Sequence, residues 1–103
     1  MEIFELTPAS QNQREWKRGG YGICGLDKAG NTWFNPAAIG AAATITALSS
    51  GTLCQVHEVD GEPRMLVSIA WAREAFPSLR ADLDILDSRI RRIAAGGLLE
   101  QYN

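Results

Sequence analysis

Residues Arg14 to Ile39, REWKRGGYGICGLDKAGNTWFNPAAI, decide the fold. Tyr21 to Cys24 and Thr32 to Asn35 are rich in aromatic and β-prone side chains. They flank Asp27-Lys28-Ala29-Gly30-Asn31, which carries the Asp, Gly and Asn that tight turns need. The pattern predicts a β-hairpin bearing aromatic rings. Alternate strand residues share a face, so Tyr21 goes with Ile23 and Trp33 with Asn35, while Cys24 and Phe34 are expected to face the core. Upstream, a strand is expected to carry Trp16, and Gly19-Gly20 permits a bend or bulge before Tyr21.

Working outward, Glu2 to Leu6 is a short β-prone run that Thr7-Pro8 ends, and it reads as an edge strand or an ordered arm. Ala9 to Gln13 is polar and reads as loop. Downstream, Pro36 opens a segment whose Ile39, Ala43 and Thr46 or Leu48 fit one face of a short helix near residues 37–48. Thr52 to Val59 and Pro63 to Trp71 read as two strands joined by Asp60-Gly61-Glu62, a hairpin turn.

The C-terminal third has helical periodicity. Phe76, Leu79, Leu83, Leu86, Ile90 and Ile93 recur at steps of three and four, which draws an apolar stripe down one face. Pro77 and Ser78 start the helix, Asp82 and Asp84 lie early, Arg89, Arg91 and Arg92 lie late, and Gly96-Gly97 stop it, as helix ends and the helix dipole favour. The predicted helix occupies residues 77–95. Its stripe either packs on its own domain or offers Leu79, Leu83, Leu86, Ile90 and Ile93 to a protein partner or a second copy.

Length and composition bound these readings. The chain has 103 residues, 46% of them hydrophobic, enough for one domain over 1–103, with 1–72 mainly β, that needs neither disulfide nor metal. The expected class is α+β: a small five-stranded OB-like β-barrel, or a strongly curved antiparallel sheet, with one long C-terminal amphipathic helix. The net charge of −2 and pI near 5.3 exclude binding of polyanions by overall charge. Local charge is uneven, since Arg14, Lys17 and Arg18 sit together.

No cofactor or metal site is expected, because Cys24, Cys54 and the single His57 lack ligand spacing. No nucleophile–base arrangement or phosphate loop is visible, so the chain does not read as an enzyme. Asp82, Asp84 and Asp87 are spaced for solvent and the helix dipole. MEIFELTPAS lacks the basic and apolar regions of a signal peptide, and no apolar run approaches the roughly 18 residues of a membrane span. The expected setting is the reducing cytoplasm, with no membrane contact.

Arg18-Gly19-Gly20-Tyr21-Gly22-Ile23 resembles the first nucleic-acid-binding motif of cold-shock domains, a Lys-Gly-Phe/Tyr-Gly-Phe-Ile pattern. Asn31-Thr32-Trp33-Phe34-Asn35-Pro36-Ala37-Ala38-Ile39 is similar to their second motif, Asp-Val-Phe-Val-His followed by Ser-Ala-Ile. Leu48-Ser49-Ser50-Gly51-Thr52-Leu53-Cys54-Gln55-Val56 is similar to the Leu-x-x-Gly-x-x-Val-x-Phe that opens their fourth strand. The resemblance covers residues 14–70 and implies an OB-fold in which Trp16, Tyr21 and Trp33 stack bases and Asn35 takes the place of the second motif's His.

Two functions follow as expectations. In the first, single-stranded RNA or DNA stacks on Trp16, Tyr21 and Trp33 beside Lys17, Arg18 and Asn35, each ring contributing about 1 to 3 kcal/mol per base. In the second, the aromatic face or the C-terminal helix binds a protein, as in the small inhibitors and adaptors that phages and mobile elements encode.

Overall fold

The computed structural model describes residues 1–6 and 22–96. The hairpin at the centre of the sequence forms, with β2 (Ile23–Leu26) antiparallel to β3 (Thr32–Phe34) and Cys24 opposite Phe34. β1 (Glu2–Glu5) adds to β2 on its other side, and the Leu6 N–H donates to the Gly22 carbonyl at 2.7 Å where the two strands part. A 3-10 turn (Pro36–Ile39) and α1 (Ala41–Ser50) then lead to β4 (Cys54–Val59) and β5 (Glu62–Ser68). α2 (Ile69–Ala75), a second 3-10 turn (Pro77–Leu79) and α3 (Arg80–Ala94) follow.

The fold is α+β. Its five-stranded sheet has the order β1-β2-β3-β5-β4, every neighbouring pair is antiparallel, and it curls into a half-barrel with the C-terminal helix packed on it. Among the described residues, β1 and β4 are the two edges. One cross-strand row passes through every strand: Phe4 opposite Cys24, Cys24 opposite Phe34, Phe34 opposite Val67, Val67 opposite Cys54. Ala47 of α1, Ile69 and Ala72 of α2, and Leu83, Leu86 and Ile90 of α3 close over this face. Burying one such Leu or Ile is worth about 1.5 to 3 kcal/mol, so the helical layer fixes which face of the sheet is inside. Within the row, burial pushes the Cys24 thiol up to about 12, opposed by the Arg89 charge.

The opposite face carries a second, smaller core of Ile23, Trp33 and Leu66, with Met1, Ile3 and Val59 packed beside it.

Local chemistry accounts for where elements differ from the sequence reading. The expected helix near 37–48 is two pieces, because Gly40 takes φ 127° between the 3-10 turn and α1, a backbone that side-chain-bearing residues rarely adopt. The strand expected over Pro63 to Trp71 stops at Ser68. The Ser68 hydroxyl accepts the Trp71 N–H at 3.1 Å and caps α2, so Trp71 lies on a helix, its ring edge-on to Phe76 at 5.7 Å. The predicted C-terminal helix likewise divides into the 3-10 turn at Pro77 and α3.

Candidate functional site

The predicted aromatic platform divides into residues that are placed and residues that are not. Trp16, Lys17, Arg18 and Tyr21 lie outside the described residues. Trp33 is placed, and only 6% of it is exposed. Its ring belongs to the smaller core, and its Nε1–H donates to Asp27 Oδ2 at 3.0 Å. The same carboxylate accepts the Asn31 N–H at 2.8 Å and Asn31 Nδ2 at 3.1 Å. Led by the Asn31 backbone donor and then the Trp33 indole, these bonds hold the Asp27 carboxyl down to about 2. Asn35 is also buried, and its Oδ1 accepts the Ala37 N–H at 2.9 Å, capping the 3-10 turn. Trp33 and Asn35 are thus both engaged within the chain: one ring fills a core and one amide closes a turn.

The stripe on the C-terminal helix takes the first of its two expected destinations. Leu83, Leu86 and Ile90 are buried in the main core, and Leu79 and Ile93 pack against it. Periodicity alone left two destinations for the stripe, and it goes to the chain's own sheet.

The acidic residues of α3 do more than face solvent. Thr32 Oγ1 of β3 donates to Asp87 Oδ1 at 2.5 Å, and Arg91 Nε donates to Asp87 Oδ2 at 2.9 Å. Arg73 of α2 forms an ion pair with Asp84. These groups line a cleft of about 230 Å³ together with Asn31, Ile69 and Ala70. Ligand pockets for small molecules run from about 300 Å³ upward, and each charged group lining this one is already paired within the chain. The arrangement latches α2 and α3 to β3. Sequence spacing did not reveal it, because Thr32 and Asp87 are 55 positions apart.

Another region exposes large apolar side chains. Among the described residues, the exposed large hydrophobics are Ile45, Leu48, Leu53, Val56 and Ile85, so four of the five fall between positions 45 and 56. Ile45 and Leu48 stand on the outer side of α1, whose inner side gives Ala43 and Ala47 to the interior. Leu53 precedes β4, and Val56 sits in it. From Ala29 to His57 the chain contains no Asp, Glu, Lys or Arg. β4 is an edge, and among the described residues no strand pairs with its outer side.

The sequence did carry this signal, since an uncharged run of that length is visible in it. The sequence predicts a helix and a strand over this run, and alternation says which residues share a face and not whether anything covers it.

Among the described residues, no group of three or more His, Cys, Asp or Glu could hold a metal ion, and no helix is long and apolar enough to cross a membrane. No protein-family model, curated protein or solved structure matches this chain.

Proposed function

We propose that this chain is a small protein-interaction module that docks a partner on α1 and the open edge of β4. The observation that carries this reading is the concentration of exposed apolar side chains, Ile45, Leu48, Leu53 and Val56, on one charge-free stretch that ends in a strand whose outer side pairs with no other strand among the described residues. Exposed apolar patches mark interaction sites, and an open strand edge supplies a row of backbone donors and acceptors for an added strand. The sheet is then an OB-like half-barrel used as a scaffold, and the two free thiols, Cys24 and Cys54, suit a reducing cytoplasm.

The nucleic-acid reading has less support. Trp33 and Asn35 are engaged internally, and its other members lie outside the described residues.

Selection of extended peptides from a display library tests the proposal. Selected peptides are expected to lose binding to Leu48→Asp and Val56→Lys and to keep it with Ile85→Asp, whose exposed position serves as control. Binding that neither Leu48→Asp nor Val56→Lys changes would sink the docking surface. Salt-dependent tryptophan quenching by oligo-dT or oligo-U, with no peptide selected, would return the chain to the nucleic-acid class.

A further inference from the structure

We infer that the occupant of the β4 edge is a second copy of this chain, paired antiparallel about Val56 so that two sheets join into one; this rests on reading that edge as a docking surface.

The β4–β5 turn determines which backbone groups face outward. Val59 is opposite Glu62, and the two residues between them, Asp60 and Gly61, both have positive φ (52° and 79°), the geometry of a tight two-residue hairpin. The closing pair of such a hairpin exchanges both hydrogen bonds, and bonded pairs alternate along the ladder. Val59, His57 and Gln55 therefore bond to β5, while Cys54, Val56 and Glu58 turn their N–H and C=O groups to the open edge.

These outward groups are self-complementary in one register. Centring an antiparallel pair on Val56 sets Val56 against Val56 and Cys54 against Glu58 of the second copy, and it uses all three outward residues. Centring it on Glu58 opposes two like charges, which is destabilising, and centring it on His57 leaves the outward groups of Cys54 without a partner.

Charge points to the same occupant. A two-fold contact sets a patch against itself, so a charge at its axis meets its own kind. The stretch up to His57 has none, and β4 carries only Glu58, near its end. The other edge is guarded, since β1 is flanked by exposed Glu2 and Glu5. On the helical side of the sheet, Val56 lies opposite Met65, which packs on the main core with Cys54, so its exposed methyl groups meet across the axis.

Sedimentation equilibrium of the full chain tests this. The wild type is expected to dimerise, Val56→Lys and Val56→Glu to dissociate at about tenfold or more higher concentration with unchanged circular dichroism, and their equimolar mixture to regain the dimer, because Lys then faces Glu at the axis. Amide hydrogen exchange on the wild type reads the same contact without a variant: protection at Cys54, Val56 and Glu58 rises with concentration. A wild type that stays monomeric overturns the inference and leaves the docking surface to the peptide selection. A dimer that survives Val56→Lys, or whose protection rises elsewhere, also overturns it.

Discussion

At Asp27 a single carboxylate takes hydrogen bonds from the Asn31 backbone, the Asn31 amide and the Trp33 indole, so the hairpin loop and the smaller core share one contact. Its carboxyl is held near 2 against an ordinary 3.8, by the Asn31 backbone donor first. A lowered folded-state pKa means stability that is present above 3.8 and lost as pH falls toward 2. In acid titrations followed by Trp fluorescence, Asp27→Asn is expected to lack this part of the acid loss and to melt at a lower temperature than wild type at neutral pH; identical acid profiles would remove the role given to Asp27. The turn itself was legible in the sequence, since Asp, Gly and Asn sit where a short hairpin needs them. The burial of Trp33 was not, because the pairing of Trp33 with Ile23 on one face holds equally for an exposed platform and for a second core.

At the scale of elements, α3 was the most legible part of the chain, since steps of three and four from Leu79 to Ile93 admit only a helix with one apolar side. What it packs on depended on residues far away in sequence: Phe34, Val67 and Cys24 of the sheet, and Thr32 holding Asp87. Leu83 is fully buried and Ile85 is 61% exposed, although they are two positions apart on the same helix. Thermal or denaturant unfolding should therefore separate them, with Leu83→Ala costing about 2 to 5 kcal/mol and Ile85→Ala staying within about 0.5 kcal/mol. Similar costs for the two would mean that the stripe is not buried on this sheet. The strand expected over Pro63 to Trp71 overruns the first three residues of α2, because the imperfect alternation through Leu66, Val67 and Ile69 continues it while the cap at Ser68 ends it.

For the whole molecule, the α+β class and antiparallel hairpins could be read from turn chemistry and periodicity. The strand order places β5 between β3 and β4, and that crossover through α1 is set by which faces the helices cover, a matter of tertiary packing that no local pattern records. The site was the least legible part. The aromatic and amide side chains at Trp33 and Asn35 turn inward, the stripe on α3 is covered, and the open apolar surface falls on α1 and β4, where small and β-branched residues draw little notice. Chemical-shift mapping of a selected peptide on isotope-labelled protein tests this most directly. The account predicts that the largest amide shifts fall between Ile45 and Glu58, with those of Trp33 and of Leu79 to Ile93 small. Shifts centred on Trp33 or on the C-terminal helix would contradict it.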